Sequence, residues 1–211
     1  MTTVLIDTDS GNLHSAEKAF QRMSREGSGE PVVVTSDPDT VRRAERIVLP
    51  GDGAFPACAD ALMRDRAALH EALLEAVETR AVPFLGICVG MQLMAREGYE
   101  YRSTEGLNWI DGAVCAIPAN GRKVPHMGWN DLVIDRPHPV LDGIATGDHA
   151  YFVHSYHMDL DTLDQRLAHC DYGAEITAIV ARDNRIGTQF HPEKSQSTGL
   201  RLIANFLSWR P

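Results

Sequence analysis

The sequence predicts an α/β protein: a mostly parallel, twisted sheet with helices on both faces, plus an antiparallel portion in the C-terminal half. Over residues 1–97, short apolar runs alternate with segments of helical periodicity, as in parallel sheets. From about residue 107 the segments become short and alternate between apolar and polar residues, as antiparallel strands do. No linker, repeat or low-complexity tract interrupts the chain, so we expect a single domain over residues 1–211.

Four apolar runs predict the parallel strands, at residues 4–7, 31–35, 46–50 and 82–87. Helical segments follow: a periodic stripe after residue 12, an Ala- and Leu-rich region up to residue 80, and helix formers over residues 91–97. The C-terminal ends of parallel strands lie at one edge of a sheet, where ligands bind. The loops after residues 7, 50 and 87 should therefore converge.

The C-terminal half contains six short runs that predict antiparallel strands. They cover residues 113–117, 132–134, 150–154, 167–170, 175–181 and 185–190. A last helix over residues 197–209 carries its apolar residues on one stripe, which should cover the sheet.

Composition and charge exclude several classes of protein. The net charge of −9 gives no basic surface for nucleic acid or for an anionic membrane. Residue 1 leads almost directly into a strand without a signal sequence, and no run of about 20 apolar residues occurs, so we expect a cytoplasmic protein. The four cysteines show no Cys-x-x-Cys pairing, so neither zinc nor disulfides are indicated. We expect no metal and no cofactor.

Cys88 stands between Gly86 and Gly90, where the fourth strand gives way to a helix. This Gly-x-Cys-x-Gly spacing matches a nucleophile elbow, in which the central residue projects from the sheet. A thiol at the start of a helix also meets free N–H groups, which favour its thiolate. The alternative interpretation is a buried cysteine at a tight turn.

His191 is the best candidate for the base that a cysteine nucleophile needs. It closes an apolar strand, and Glu193 follows two residues later. If the backbone stays extended through Pro192, both side chains point to the same side and the carboxylate holds the imidazole. The alternative is a histidine at a strand end beside a solvated glutamate.

A second glycine-containing loop, after the third strand, offers donors for an oxyanion. Backbone N–H groups of Gly51, Asp52 and Gly53, with that of Val89 at the elbow, are the candidates. The alternatives are an ordinary strand-to-helix loop and, less favoured because no phosphate-binding glycine motif is present, a phosphate cradle.

These motifs, residues 49–53, 86–92 and 189–193, resemble in that order the class I, triad-type glutamine amidotransferase family. The resemblance spans nearly the whole chain. Residues 7–13, 125–130 (Pro-His-Met-Gly-Trp-Asn), 151–156 and 188–196 are similar in particular to the glutaminase subunits of imidazole glycerol phosphate synthases.

The resemblance implies a reaction and a partner. Cys88 would attack the side-chain amide of L-glutamine, His191 would move protons, and Glu193 would orient His191. Ammonia would pass to a cyclase subunit with a (β/α)₈ barrel, forming a heterodimer that makes imidazole glycerol phosphate and aminoimidazole carboxamide ribotide. The family pattern assigns substrate binding to Gln92, Glu100, His154, Ser155 and Tyr156, and the partner interface to Asn12, Trp129 and Tyr151.

The chain departs from the family pattern in two loops. Thr8 and Asp9 replace a Tyr-Gly pair in the first loop, and Asp52 replaces an apolar residue beside the expected oxyanion. A carboxylate 4 Å from an oxyanion would be repelled by about 4 kcal/mol at an effective dielectric constant near 20. We therefore expect the Asp52 side chain to point away.

Three other functions stay open at this point. The chain could be a small amidotransferase that serves a different acceptor, and it would then not complement a histidine auxotroph. It would not turn over glutamine if it were a cysteine hydrolase of peptides or small amides. An inactive scaffold that docks a barrel is disfavoured, because it would not need all three residue types at positions 88, 191 and 193.

Overall fold

The structure is a computed structural model that describes residues 2–8, 13–118 and 120–211. In this part of the chain the strands are β1 Thr3–Ile6, β2 Val32–Thr35, β3 Arg46–Gly51, β4 Phe84–Cys88, β5 Ala95–Gly98, β6 Thr104–Glu105, β7 Ile110–Ala116, β8 His126–Asp131, β9 Val133–Ile134, β10 His149–His154, β11 Tyr156–Leu160, β12 Arg166–Asp171, β13 Glu175–Arg182 and β14 Arg185–Thr188. The α-helices are α1 Leu13–Glu26, α2 Pro38–Arg43, α3 Phe55–Ala59, α4 Ala67–Leu74, α5 Val89–Gln92 and α6 Gln196–Ser208.

The central sheet has the strand order β2-β1-β3-β4-β14-β13-β12-β9. β2, β1, β3, β4 and β14 are parallel, and the pairs from β14 to β9 are antiparallel. Two smaller sheets stand beside it, β10-β8 and β11-β7-β5-β6. The predicted class, a mostly parallel sheet with an antiparallel C-terminal portion, is confirmed.

Helices cover both faces of the central sheet. The connection from β1 to β2 and the connection from β2 to β3 cross the sheet in opposite directions, so right-handed crossovers put α1 and α2 on opposite faces. In agreement, α1 packs against α6, whereas α2 packs against α4. π-helical turns at Asp60–Arg64 and Glu75–Thr79 flank α4. No helix in the described residues is long and apolar enough to cross a bilayer.

One local prediction was wrong and another was incomplete. The predicted helix over residues 91–97 ends at Gln92, and Ala95–Gly98 is strand β5, which pairs with β7 and β6. Pairing with a distant strand therefore outweighs the helical propensity of these residues. The predicted antiparallel strand at residues 185–190 is β14, which is antiparallel to β13 but parallel to β4.

A buried arginine joins the start of β3 to the end of α6. The side chain of Arg46 is 1% exposed. It pairs with Glu30 at 3.1 Å and donates to the carbonyl oxygens of Phe206 and Trp209, each at 3.3 Å. A buried charge is tolerated when it is paired and hydrogen-bonded in this way. Arg46 thus fixes the C-terminal helix on one face of the sheet.

Candidate active site

Cys88 is the last residue of β4 and the residue before α5. Its backbone has φ +53° and ψ −110°, a conformation that non-glycine residues rarely adopt. The residue is buried, with 4% of its surface exposed. A strained residue at a strand-to-helix turn is the geometry of a nucleophile elbow, and the structure places Cys88 there as the sequence predicts.

Glycines let the elbow pack directly on the neighbouring strand. A β-carbon built on Gly90 would lie 1.8 Å from the carbonyl oxygen of Leu49 in β3. One built on Gly86 would lie 2.4 Å from the carbonyl oxygen of Gly90. Any side chain at either position would push α5 away from the sheet. The close approach puts Gly51, paired in register with Cys88, beside the sulfur-bearing residue.

His191 and Glu193 form a buried pair beside Cys88. His191 Nδ1 lies 2.9 Å from Glu193 Oε1, and the two side chains are 6% and 3% exposed. The predicted reason for this contact was wrong, because Pro192–Lys194 is a 3₁₀ turn rather than extended chain. The turn carries the carboxylate back toward the imidazole, so the contact forms by curvature of the backbone.

The pKa of His191 is raised to about 10 by its hydrogen-bonded neighbours. Burial alone would lower it, but hydrogen bonds to Cys88 and Glu193, and the negative charge of both groups, favour the imidazolium more strongly. His191 is therefore protonated at neutral pH. A cation beside a cysteine sulfur is the arrangement that activates cysteine nucleophiles.

A cavity of about 200 Å³ lies next to the sulfur of Cys88. It is lined by Asp52, Gly53, Cys88, Val89, Gln92, Glu100, Pro125, Val153, His154, Ser155 and Tyr156. A larger cavity of about 720 Å³ lies at residues 134–144, far along the chain from the nucleophile and lined by no cysteine. The smaller cavity is therefore the candidate site.

The cavity brings together most of the residues predicted to bind substrate or oxyanion, whereas Gly51, His191 and Glu193 do not line it. The predicted substrate residues Gln92, Glu100, His154, Ser155 and Tyr156 all line it, together with the predicted oxyanion residues Asp52, Gly53 and Val89. Its charge and shape suit a small polar molecule whose reactive atom reaches a cysteine.

The chain matches the family model of class-I glutamine amidotransferases over residues 6–209. It belongs to the class-I glutamine amidotransferase family. A chain of Cereibacter sphaeroides named imidazole glycerol phosphate synthase subunit HisH is 65% identical, and one of Ruegeria pomeroyi with the same name is 63% identical; each alignment covers all of both chains. The expected resemblance to this enzyme family is thus confirmed.

Solved structures show the amidotransferase fold at low sequence identity. A glutamine amidotransferase from Thermotoga maritima has a TM-score of 0.67 at 16% identity and covers 96% of this chain and 80% of that one. The glutaminase domain of Trypanosoma brucei CTPS has a TM-score of 0.66 at 14% identity, covering 100% and 95%.

Two loops of the amidotransferase cavity hold buried contacts. Glu100 Oε2 accepts the backbone N–H of Phe55 at 2.7 Å, where α3 begins. The carbonyl oxygen of Asp52 accepts the thiol of Cys58 at 3.5 Å, and Asp52 itself is exposed. These contacts hold the Glu100 carboxylate close to the end of the glycine loop.

Two of the three predicted partner residues, Trp129 and Tyr151, lie on the small β10-β8 sheet. Trp129 is 48% exposed, and its ring meets that of Tyr151 edge to face, with centroids 5.8 Å apart. The backbone of Tyr151 also accepts the N–H of His191 at 3.1 Å. The third predicted partner residue, Asn12, and the unusual Asp9 lie outside the described residues; Thr8 is buried.

Sequence reasoning missed two residues at this site. Gln189 is fully buried, and its amide nitrogen lies 3.7 Å from Cys88 Sγ. His126 is buried in ring contact with Phe152 and Tyr172 and is bonded to His154. Both belong to motifs quoted for the resemblance, but a role for either depends on contacts between distant segments.

Proposed function

We propose that this amidotransferase chain is a glutaminase subunit that hydrolyses L-glutamine to L-glutamate and ammonia and delivers the ammonia to a cyclase subunit. The observation that carries the proposal is the buried Cys88–His191–Glu193 arrangement beside a cavity of amino-acid size. The names of the relatives support the narrower assignment, since each is a subunit of imidazole glycerol phosphate synthase.

In each step of the reaction, one group donates or accepts the proton that moves. The thiol proton of Cys88 already resides on His191, so the sulfur attacks as the thiolate and bonds to the Cδ carbon of the glutamine amide. When that tetrahedral adduct collapses, the C–N bond breaks, and the nitrogen takes the proton from His191 and leaves as ammonia. Water then gives a proton to His191 and attacks the glutamyl thioester. The C–S bond breaks, the sulfur leaves as the thiolate beside the protonated His191, and glutamate is released.

Backbone N–H groups stabilise the oxyanion of each adduct. In the proposal, Val89 and the loop of Gly51, Asp52 and Gly53 supply them, beside Cys88. The exposure of Asp52 is consistent with a carboxylate directed to solvent, and only its backbone takes part. Glu193 keeps His191 in the orientation that serves both halves of the reaction.

The rest of the cavity recognises the amino-acid end of glutamine. The carboxylate of Glu100 attracts the α-ammonium group, and the amide of Gln92 contacts the substrate one helical turn from the sulfur. Main-chain groups of His154, Ser155 and Tyr156 complete the lining. A substrate lacking the α-ammonium group would lose the Glu100 contact.

The exposed apolar side chains of β8 and its neighbourhood suit the cyclase partner. Val124, Met127 and Trp129 are 44%, 63% and 48% exposed. Exposed apolar patches mark protein–protein interfaces. In the proposal this face docks a (β/α)₈ barrel, in which ammonia meets a phosphoribulosyl imidazolecarboxamide precursor to give imidazole glycerol phosphate and aminoimidazole carboxamide ribotide. No cofactor enters the glutaminase reaction.

Trapping the acyl enzyme tests the proposal. The complex with a cyclase is mixed with L-glutamine, quenched in acid and digested with trypsin, which cuts after Arg80 and Arg96 to release residues 81–96. Cys88 is the only cysteine in this peptide. We expect the mass of a glutamyl group on it, removable by hydroxylamine. Glutamine turnover without any adduct, retained after Cys88→Ala, would contradict the proposal.

A further inference from the structure

One carbonyl group sets the direction of the hydrogen bonds around the cavity. The backbone oxygen of Tyr156 lies 3.0 Å from the side-chain amide of Gln92 and 2.8 Å from Nδ1 of His154. A carbonyl oxygen accepts and never donates. Both of its neighbours must therefore be donors, which fixes the amide orientation of Gln92 and the tautomer of a neutral His154.

The first branch runs from Gln92 to the nucleophile. The Gln92 nitrogen that donates to Tyr156 also lies 3.1 Å from the side chain of Gln189, so the Gln189 atom facing it is the oxygen. The Gln189 nitrogen then points the other way, where Cys88 Sγ lies at 3.7 Å. An N–H group is consequently directed at the sulfur.

The second branch is a series of hydrogen bonds that starts at His154 and leads away from Cys88. Its donors and acceptors agree with the Tyr156 carbonyl oxygen as an acceptor. With Nδ1 of His154 donating, its Nε2 accepts from Nδ1 of His126 at 3.0 Å. Nε2 of His126 then accepts from the side-chain amide of Asn130 at 3.3 Å. Burial lowers the pKa of His126 to about 4 and that of His154 to about 3, so both rings are neutral, as this pattern requires.

We propose that Gln189 is a further catalytic residue, whose side-chain N–H donates to the sulfur of Cys88 while its oxygen holds the amide of Gln92. The inference rests on the proposed function, since it assigns a partner to the same nucleophile. Sulfur carries negative charge before attack and when the thioester breaks, and a donor held at that position stabilises both states.

The alternative is that Gln189 only fills space or only positions Gln92. Its side chain is fully buried, and its backbone N–H donates to Ala178 in β13, so it also belongs to the sheet. A side chain that only packs needs no directed N–H group. A side chain that acts only through Gln92 would leave the sulfur unaffected. The two alternatives therefore differ from the proposal in the ionisation of Cys88.

The experiment measures the rate at which iodoacetamide alkylates Cys88 as a function of pH, using the complete chain and mass spectrometry of peptide 81–96. The other charged or titratable groups near the sulfur are His191, Glu193, Glu100, Asp52 and His154. All of them are retained in every variant compared.

Three variants separate the alternatives. Gln189→Met removes the donor to sulfur and the contact to Gln92. Gln92→Met removes the hydrogen bond from the Gln92 amide to the Gln189 oxygen but leaves Gln189 in place. Thr188→Val removes the buried hydrogen bond from the adjacent residue to the carbonyl oxygen of Phe190, and serves as the control for packing.

We expect Gln189→Met to move the midpoint of the alkylation profile upward by about one pH unit. Below the midpoint, Cys88 would then be alkylated about tenfold more slowly. The kcat for glutamine should also fall about tenfold. Gln92→Met should raise KM for glutamine and move the midpoint by less than Gln189→Met does, because it removes the partner that orients the Gln189 amide but keeps the donor to sulfur. Thr188→Val should change neither. An unchanged midpoint in Gln189→Met, or an equal shift in Thr188→Val, overturns the proposal. If Gln189→Met does not fold, Gln189→Leu is judged by the same midpoint.

The same data distinguish this inference from the proposed function. If alkylation of Cys88 in the unsubstituted chain leaves glutamine turnover intact, the proposed function fails. If alkylation abolishes turnover but the midpoint is the same in the Gln189 variants, only the role of Gln189 fails.

Discussion

At the scale of single residues, the protonation of His191 links catalysis to stability. Hydrogen bonds to Cys88 and Glu193 raise the pKa of His191 to about 10, against the effect of burial. A group whose pKa is higher in the folded state stabilises the fold fully below its unfolded value, about 6.5, and this contribution is lost as the pH rises to the folded value. The pair should therefore stabilise the protein at neutral pH and cease to do so near pH 10.

Glu193→Gln tests this linkage. The neutral amide removes the negative charge beside His191, so the pKa of His191 should fall and the loss of stability between pH 6.5 and 10 should be smaller than in the unsubstituted protein. Urea denaturation at several pH values measures this. We also expect glutamine turnover to fall at least about tenfold, because the imidazole loses its charged partner. Identical pH dependence in both proteins would contradict the role of Glu193.

At the scale of elements, the approach of α5 to β3 sets the position of Cys88. Gly90→Ala should cost several kcal/mol of unfolding free energy, on the order of 4, because its β-carbon would overlap the carbonyl oxygen of Leu49. Gly29→Ala is the control: Gly29 has φ +71° and nothing within 4 Å of a built β-carbon, so only about 1 kcal/mol of backbone strain is expected. Urea denaturation compares the two, and equal costs would contradict the close approach.

The anchor of α6 gives a second prediction at this scale. Arg46→Met should lower the unfolding free energy by about 3 kcal/mol, since Glu30 and two carbonyl oxygens lose their donor. Glu30→Gln, at the more exposed end of the pair, should cost about 1 kcal/mol. Chemical denaturation measures both. A larger loss from Glu30→Gln than from Arg46→Met would show that the carbonyl contacts contribute nothing.

The elements also show which features could be predicted from the sequence. The glycines at positions 86 and 90 predicted the turn at Cys88, because the close packing there leaves no space for a side chain. The helix over residues 91–97 was wrongly predicted, since β5 exists only by pairing with β7 and β6. The pairing of His191 with Glu193 followed from their spacing, but the 3₁₀ turn that produces it did not. Gln189 was missed because its contacts join residues about a hundred positions apart.

At the scale of the whole molecule, hydrogen bonds connect the sheet of β8 and β10 to the His191 segment. The backbone of Tyr151 accepts from His191, and its own N–H donates to Ser195, which in turn donates to the carbonyl oxygen of His191. Tyr151 is thus bonded to the His191 segment and stacked edge to face on the exposed Trp129. A partner that docks on Trp129 would therefore contact a side chain whose backbone is bonded to that of His191.

Trp129→Ala should weaken binding to the cyclase by about 2 kcal/mol, or about 30-fold in Kd, if this face is the interface. Leu163 is 57% exposed on the 3₁₀ turn Leu163–Gln165 between β11 and β12, and Leu163→Ala should leave Kd unchanged. Isothermal titration calorimetry with the purified cyclase measures both. Equal affinities of Trp129→Ala and the unsubstituted chain would place the interface elsewhere.

Cys88→Ala tests whether Cys88 releases ammonia from glutamine for a reaction on another subunit. In the complex with the cyclase, synthesis of imidazole glycerol phosphate is measured with glutamine and, separately, with ammonium salt. We predict that Cys88→Ala abolishes synthesis from glutamine and leaves synthesis from ammonia at the level of the unsubstituted complex. Loss of both activities would mean that Cys88 is structural, and retention of both would mean that another group attacks glutamine.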